Sequence, residues 1–286
     1  MVISTMVTPQ IVAKNRIISL DYSMPTVYTS INISDYYTMD KVAILDVDIN
    51  NLSLQEVVET IKDFMASPQQ HFIVTPNPEM LVAAQQDQQF KEVLNYADIA
   101  IADGVGLIYT AAWQGKQLQR VTGVDLVWEI CELAAERGWS VYLLGGRDGI
   151  ASTAAERLKQ SFTNLKVAGA ESGGVIDDPY ATYSDIVDHV NQTKPQVLLV
   201  AFGQIKQEKW IFSHLDKLPS VKLAIGVGGT FDYLAGTIPR APKLLRQLGL
   251  EWLYRLMQEP QRWKRIITAT VIFPLLIIKH KFSRHH

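Results

Sequence analysis

The sequence predicts an α/β protein with a Rossmann-like parallel sheet and helices on both of its faces. Two observations predict this fold class. Short, continuously apolar segments alternate with amphipathic segments from about residue 42 to residue 227. Continuously apolar strands are typical of parallel sheets that are buried on both faces, and their alternation with helices is typical of βαβ units.

The first half of this pattern spans about residues 41–140. Short runs rich in Val, Ile and Ala predict its strands, and segments with one apolar face predict its helices. A chain of 286 residues with 48% hydrophobic content is long enough to bury a sizeable core. In chain order, the predicted elements are strand 42–47, helix 53–66, strand 72–74, helix 79–95, strand 99–102, helix 105–113 and helix 123–137.

The second half, about residues 141–238, repeats the same rhythm. Together the two halves form one predicted α/β domain, residues 41–238. The predicted elements are strand 141–144, helix 149–162, strand 166–169, helix 180–192, strand 197–201, helix 207–215 and strand 223–227.

The N-terminal residues 1–40 differ from this domain in composition. They mix Ser, Thr, Tyr and Asn without a sustained period, which predicts a poorly ordered extension. No basic segment followed by a long apolar run is found there, so we predict no signal peptide and expect a cytoplasmic protein. The single cysteine, Cys131, excludes an intramolecular disulfide framework and fits a reducing compartment.

The C-terminal residues 239–286 predict a basic amphipathic appendage. They carry ten Lys and Arg side chains against two Glu side chains, although the whole chain has a net charge of −2. The apolar run 266–278 holds about 13 residues, fewer than the 18 to 20 that cross a bilayer, and Pro274 interrupts it. We therefore expect this appendage to lie on an anionic membrane surface without spanning it. The alternative is a C-terminal helix that packs back on the core.

The loop Thr75-Pro76-Asn77-Pro78 follows a predicted strand and is the first candidate for a site. Ligands of open parallel sheets bind beyond the carboxyl ends of the strands. Two prolines stiffen this loop and hold Thr75 and Asn77 towards that crevice. Helix capping, with Asn77 as the N-cap and Pro78 in the first turn, is the alternative interpretation for Asn77.

Asp103 is the candidate general base. It ends the next predicted strand and is followed by Gly104 and Gly106, which would let a substrate approach closely. Asp103 could instead cap the following helix. Arg120 could bind a phosphate or keep this carboxylate ionised, or it could form only a surface salt bridge.

Two glycine-rich strand ends are candidates for binding a nucleotide. Gly145 and Gly146 lie between a strand and a helix, where backbone amides favour a diphosphate, although glycines there are also common as plain turns. The second strand end offers Asp232 for a ribose or a base, and Phe231 or Tyr233 for stacking. No dinucleotide-binding or Walker motif is present.

No metal site and no cofactor are predicted. Asp46 and Asp48 form an Asp-x-Asp pair without a third ligand nearby, and we interpret the pair as a turn at a strand end. His71, His189 and His214 are not at ligand spacing, so we expect them at the surface.

Six motifs in order resemble those of the WecG/TagA/CpsF glycosyltransferases. The resemblance runs from about residue 42 to residue 282, nearly the whole chain beyond the extension. The motifs are TPNPEM, ADGVG, RVTGVDL, GQIKQEKW, GVGGTFDYLAG and RAPKLLRQLGLEWLYRLMQEPQRWKR.

The resemblance implies a bacterial, inverting, metal-independent enzyme of cell-surface polymer synthesis. Such an enzyme moves an N-acetylmannosamine-type sugar from UDP to a polyprenyl-diphosphate-linked N-acetylglucosamine, so its implied partners include both substrates and a membrane surface. Nucleic acid is not expected, and a homo-oligomer is left open.

The family's site residues carry over onto matching positions of this chain. The resemblance implies that Asp103 is the general base, and that Thr75, Asn77, Arg120 and Gln207 share its pocket. It implies Asp232 as a donor contact, and Arg255, Arg262 and Arg265 as ligands of the lipid diphosphate. One departure is Ile205, because the family usually has proline two positions before this glutamine. A nicotinamide-dependent oxidoreductase and a non-catalytic, membrane-attached binding module are the alternative functions.

Overall fold

The computed structural model describes residues 40–283. The predicted extension 1–40 therefore lies almost entirely outside the described residues. The helices of the α/β domain are α1 (Leu54–Ala66), α2 (Pro78–Ala84), α3 (Gln88–Tyr96), α4 (Val105–Trp113), α5 (Gly123–Arg137), α6 (Ile150–Ser161), α7 (Ser184–Thr193), α8 (Lys206–His214) and α9 (Thr230–Leu234).

Six parallel strands form a sheet at the centre of the domain. They are β3 (His71–Val74), β4 (Ile99–Ala100), β5 (Ser140–Gly145), β6 (Lys166–Glu171), β7 (Val197–Ala201) and β8 (Leu223–Gly226). Their order in the sheet is β4-β3-β8-β7-β5-β6, and the prediction of an α/β fold is confirmed. The central strands of the sheet, β7 and β8, are buried along their whole length, as their continuously apolar sequences predict.

The two halves of the sequence meet at the pairing of β3 with β8, where Phe72 lies opposite Ala224. The strands β3 and β4 come from the first half, and the other four come from the second. Because all six are parallel, the loops that follow β3, β4, β7 and β8 emerge at the same edge of the sheet. That edge, at the junction of the halves, is where a ligand site is expected in such a fold.

The prediction of a single strand over residues 42–47 is wrong. The segment is an antiparallel hairpin of β1 (Lys41–Ile44) and β2 (Val47–Asn50), with Ile44 opposite Val47. Leu45 and Asp46 form the turn, and both have positive φ angles, of 50° and 62°. Two left-handed residues match the twist of a tight hairpin, but the usual glycine is absent, so the turn was not evident in the sequence.

Two of the predicted helices also differ from the structure. The segment 79–95 is divided into α2 and α3, because Asp87 caps α3 by accepting a hydrogen bond from the Phe90 N–H. The predicted helix 180–192 begins only at Ser184. His214 is fully buried and stacks on Trp210 at 4.7 Å, and His71 is only 13% exposed, so the prediction of surface positions is wrong for these two histidines.

The C-terminal segment is a series of helices that packs on the α/β domain. It contains α10 (Lys243–Gln247), α11 (Glu251–Gln258), α12 (Trp263–Ile267) and α13 (Phe273–Ser283). Between α12 and α13, the Phe273 N–H donates to the Thr268 carbonyl, a π-helical bond, so the chain stays helical through Pro274.

The resulting run, Pro260–Ser283, has 24 residues and is long and apolar enough to cross a membrane by length and composition alone. The expectation that Pro274 interrupts this run is therefore wrong. Phe273 and Ile277 are nonetheless buried against the α/β domain, as the alternative of a helix packed on the core requires.

Candidate active site

A cleft of about 820 Å³ lies beyond the carboxyl ends of β3, β4, β7 and β8, and the C-terminal segment forms its outer wall. It brings together most of the predicted site residues, although they come from distant parts of the sequence. These are Thr75, Asn77, Asp103, Arg120, Gln207, Tyr233, Arg255, Arg262 and Arg265.

The proline-stiffened loop after β3 supplies Thr75 and Asn77. Thr75 is 7% exposed and lines the cleft. Asn77 is the N-cap of α2, where its Oδ1 accepts from the Met80 N–H at 3.1 Å, and its Nδ2 donates to the Gln204 Oε1 at 3.3 Å. The capping interpretation is thus confirmed, and the same side chain also lines the cleft.

Asp103 follows β4, and its loop is held against the β3 loop. The Asp103 N–H donates to the Pro76 carbonyl at 3.0 Å, and a Cβ on Gly104 would lie 2.5 Å from Pro78, so only glycine fits there. The N-cap of α4 is Gly104, without any side-chain capping bond. The alternative that Asp103 caps this helix is therefore wrong, and its carboxylate remains in the cleft wall.

The electrostatics of the cleft set the protonation of Asp103. Burial raises the pKa of its carboxyl to about 6, the Arg120 guanidinium acts in the opposite direction, and the negative charge of Glu251 raises it further. A carboxyl group with this pKa is mostly ionised at neutral pH, yet it is more basic than an ordinary aspartate. It can therefore accept a proton from a hydroxyl group.

Arg120 connects the Asp103 loop to the C-terminal segment. Its Nε lies 3.3 Å from the Asp103 carbonyl oxygen, and one terminal nitrogen donates to the Arg246 carbonyl at 3.0 Å. The other terminal nitrogen is 3.5 Å from the Glu251 carboxylate. Arg120 thus lies beside Asp103 as predicted, but its hydrogen bonds go to the backbone and to Glu251.

Gln207 lies at the start of α8 and is 3% exposed. Its Oε1 accepts from the Gly228 N–H at 2.9 Å, and its Nε2 donates to the Glu208 Oε1 at 2.7 Å. The Glu208 Oε2 accepts from the Ile205 N–H at 2.7 Å. The loop after β7 is thereby joined to the glycine-rich loop after β8.

Ile205 has a φ of 76°, which a proline ring, with its φ near −65°, cannot adopt. Proline would also lack the N–H that Glu208 accepts. The departure from the family pattern therefore goes with a loop conformation that proline would not permit.

Three arginines of the C-terminal segment converge on the cleft. Arg255 donates to Glu259 at 2.9 Å and lies over the Tyr233 ring at 4.8 Å, while the Arg262 Nε is 3.6 Å from the same Glu259 oxygen. Arg265 donates to Glu79 at 2.6 Å. Burial lowers the pKa of Arg262, and the charges of Arg255 and Arg265 lower it further. Two carboxylates thus face three guanidinium groups, an excess of positive charge that suits an anion.

The predicted nucleotide residues other than Tyr233 lie outside the cleft lining. A Cβ on Gly145 would lie 2.6 Å from the Ala201 backbone, so this glycine permits the close packing of β5 on β7. Gly146 packs beside Ile150 and Phe231, and Asp232 pairs with Arg147 at 3.0 Å. Their roles in nucleotide binding stay predictions.

Several further residues of the cleft were not identified from the sequence. Glu79 and Gln204 hold Arg265, and Glu251 lies between Arg120 and Arg240. Glu79 and Gln204 belong to the TPNPEM and GQIKQEKW motifs, so the motifs themselves were the available signal. Among residues 40–283, no group of three or more His, Cys, Asp or Glu side chains could hold a metal ion.

Comparisons with known proteins show that the enzyme is a glycosyltransferase. A model of the "Glycosyl transferase WecG/TagA/CpsF family" matches residues 42–286, so the chain belongs to that family. Membership of this family excludes the two alternative functions, a nicotinamide-dependent oxidoreductase and a non-catalytic, membrane-attached binding module.

Two curated relatives carry the name N-acetylglucosaminyldiphosphoundecaprenol N-acetyl-beta-D-mannosaminyltransferase. The protein from Staphylococcus aureus (strain MRSA252) is 35% identical over 247 residues, which cover 84% of this chain and 93% of the relative. The protein from Bacillus spizizenii (strain ATCC 23059 / NRRL B-14472 / W23) is 32% identical over 211 residues, which cover 73% of this chain and 79% of the relative.

Proposed function

We propose that this glycosyltransferase moves an N-acetylmannosamine-type sugar from a UDP-sugar to N-acetylglucosamine carried on a polyprenyl diphosphate. The names of the relatives support this acceptor and this sugar. The observation that carries the proposal is the position of Asp103, whose pKa is raised to about 6, in the same cleft as three convergent arginines.

In the proposed reaction, the acceptor hydroxyl oxygen attacks the anomeric carbon of the donor sugar. The new C–O bond forms as the bond from that carbon to the UDP oxygen breaks, and UDP leaves with the electron pair. Asp103 takes the hydroxyl proton as the attack proceeds. A single displacement of this kind inverts the configuration at the anomeric carbon.

Thr75, Asn77 and Gln207 line the same cleft, and in this proposal they position the two sugars. Support for Gln207 comes from its hydrogen bond to the Gly228 N–H, which fixes the glycine-rich loop at the cleft wall. Preorganised contacts of this kind are the means by which an active site aligns its reactants.

Positive charge in the cleft stabilises the two diphosphates. Arg255, Arg262 and Arg265 bind the acceptor diphosphate, while Arg120 and backbone N–H groups offset the charge that develops on the departing UDP. The guanidinium groups supply this charge without a metal ion. Asp46 and Asp48, the Asp-x-Asp pair, lie in the β1–β2 hairpin and do not line the cleft.

The protein acts at the inner face of the plasma membrane in this proposal, attached peripherally. The C-terminal segment presents exposed apolar side chains beside its basic residues, a combination that favours an anionic membrane surface. Contacts at its end support a helix that lies along the domain, because Lys281 lies 4.1 Å over the Trp113 ring and His280 is 3.6 Å from Asp46.

A panel of UDP-sugars, incubated with a short-chain N-acetylglucosaminyl diphosphate lipid, tests the proposed function. We expect product only with the N-acetylmannosamine-type donor, a β-linkage by NMR starting from an α-linked donor, and undiminished rates in excess chelator. Retention of the donor configuration, or loss of activity on chelation, would contradict the mechanism. Transfer of another sugar would change the proposed donor and leave the base assignment intact.

A further inference from the structure

The cleft continues past the arginines into an apolar groove. One face of the C-terminal helical run lines it, at spacings of three and four residues that place side chains on one side of a helix. These residues are Ile266, Ala269, Thr270, Phe273, Pro274, Ile277 and Ile278. From first to last they cover about 18 Å at the rise of a helix.

Helix α4 forms the opposite wall of the groove. Tyr109 and Trp113 line it, with 67% and 49% of their surface exposed. Phe273 is 1% exposed and forms the floor, close enough to α4 that a Cβ on Gly106 would lie 3.6 Å from its ring. The groove is therefore closed below by packed side chains and open along its length.

The groove begins where the arginine cluster ends. In the helical run Pro260–Ser283, Arg265 directly precedes Ile266 and Arg262 lies about one turn earlier, and all three line the cleft. An anionic head group held by these arginines would therefore place a chain attached to it in the apolar groove. Diphosphate followed by a long hydrocarbon is the chemistry that the names of the relatives give to their acceptor.

The opposite face of the same helix is also apolar, but it points away from the cleft. Ile267, Val271, Ile272 and Leu275 are between 41% and 60% exposed and do not line the cleft. The helix thus has two distinct apolar faces, and only the outer one is needed for contact with a bilayer.

We propose that the groove between α4 and the inner face of residues 266–278 binds the first isoprene units of the acceptor lipid. This inference rests on the proposed function and deepens it. The enzyme thereby holds part of the lipid chain itself, so its preference for a long chain does not depend on a membrane.

Acceptors of increasing chain length, assayed without detergent or vesicles, test this inference. The acceptors are N-acetylglucosaminyl diphosphate esters of a one-unit and a three-unit prenyl alcohol. We expect the KM of the wild-type protein to fall at least about tenfold from the first acceptor to the second, since each buried methylene is worth about fourfold in affinity. The kcat should change little.

The substitution Ala269→Trp fills the groove and should abolish most of this chain-length effect, so that the KM of the variant for the three-unit acceptor lies within about twofold of its own KM for the one-unit acceptor. Val271→Trp is the matched control, because Val271 lies on the outer face of the same helix and is 49% exposed. It should keep the wild-type dependence.

An equal chain-length effect in the wild type and in Ala269→Trp would overturn the inference, as would a wild-type effect that arises only with vesicles. Binding of a three-unit prenyl diphosphate, measured by calorimetry, tests the groove without turnover: we expect it to be weakened in Ala269→Trp and unchanged in Val271→Trp. If no acceptor supports transfer but the three-unit prenyl diphosphate binds as expected, the proposed function is contradicted and the assignment of the groove as a prenyl-binding site is retained.

Discussion

The Arg265 guanidinium donates to the Glu79 carboxylate at 2.6 Å and joins the C-terminal segment to the first turn of α2. A second bond from Arg265 reaches the Gln204 Oε1 at 2.9 Å, and Gln204 in turn donates to Glu79 at 2.9 Å. Because Asn77 also donates to Gln204, the loops after β3 and β7 meet the C-terminal segment in one network. The outer wall of the cleft is thus hydrogen-bonded to the α/β domain.

Arg262 offers the most direct test of the arginine cluster. Substitution of Arg262 by alanine should raise the KM for the lipid acceptor about 10- to 100-fold, since a hydrogen bond to a charged group is worth about 1.5–3 kcal/mol. Lys264→Ala is the control, because Lys264 lies over Trp263 and does not line the cleft. Equal effects of the two substitutions on KM, measured at fixed ionic strength, would show that only overall charge matters.

Glu208 should affect catalysis by holding the Gln207 side chain in position. Burial raises the pKa of the Glu208 carboxyl to about 7, and its two oxygens face donors from Gln207 and Ile205. A glutamine at position 208 has only one acceptor oxygen, so one of these bonds becomes a contact between two donors. We expect Glu208→Gln to cost about 1–3 kcal/mol of unfolding free energy and to lower kcat as the Gly228 loop loosens.

Glu56→Gln is the matched control for Glu208→Gln. Glu56 makes the same kind of bond at the start of α1, where its Oε2 accepts from the Ser53 N–H at 2.7 Å, but it is outside the cleft lining. We expect this variant to lose less stability and to keep its activity. Denaturant titration and steady-state kinetics measure both effects, and full activity of Glu208→Gln would exclude a role of Glu208 in positioning Gln207.

Asp103 should lower the stability of the folded protein at neutral pH. Its folded pKa of about 6 exceeds the ordinary value of 3.8, so between these values the folded state binds more protons than the unfolded state. Stability therefore falls as pH rises through this window. We expect Asp103→Asn to melt at a higher temperature than wild type at pH 7.5, and the difference to shrink as pH falls towards 4.

Thermal scans from pH 4 to pH 8 measure this effect, and Asp87→Asn is the control. Asparagine caps a helix about as well as aspartate, but this variant loses the ion pair of Asp87 with Lys209, so it should not be stabilised. A lower melting temperature of Asp103→Asn at pH 7.5 would show that the Asp103 carboxylate is well stabilised in its site.

The outer apolar face of the C-terminal helix should control membrane attachment. Leu275 is 60% exposed on this face, and its replacement by glutamate places a charge where apolar contact is expected. We expect Leu275→Glu to bind anionic vesicles at least tenfold more weakly in a sedimentation assay. Val175→Glu, a change at an 80% exposed valine of the α/β domain, should bind as wild type does. Equal binding by both variants would place the membrane contact elsewhere.

Local sequence patterns predicted the parts of the site that follow directly from a strand end. Thr75, Asn77 and Asp103 could be placed because parallel strands bring their carboxyl ends to one edge. The bond between Glu79 and Arg265 joins positions 186 residues apart, and no local pattern encodes such a contact. The steric reason for a glycine at position 145 is also not encoded locally. It is the close approach of Gly145 to Ala201 on the neighbouring strand, which is visible only in three dimensions.

Hydrogen bonds between residues distant in sequence explain why the predictions for the first strand and for His214 were wrong. The β1–β2 turn lacks a glycine, and Asn95 supports it by accepting from the Asp48 N–H and donating to the Asp46 carbonyl, each at 2.9 Å. His214 is tolerated in the core because its Nε2 can donate to the Ala181 carbonyl at 3.1 Å while its Nδ1 accepts from the Ser213 hydroxyl at 2.8 Å. Neither partner set could be inferred from the spacing of residues along the chain.

The pH dependence of kcat/KM for sugar transfer, compared between wild type and Asp103→Asn, tests the central claim most directly. We predict that the wild-type value falls tenfold per pH unit below about pH 6, as the Asp103 carboxyl becomes protonated. The folded Asp103→Asn variant should be slower by about 10²- to 10⁴-fold and should lack this acidic limb. A variant within about tenfold of wild type, with the same acidic limb, would contradict the assignment of Asp103 as the base.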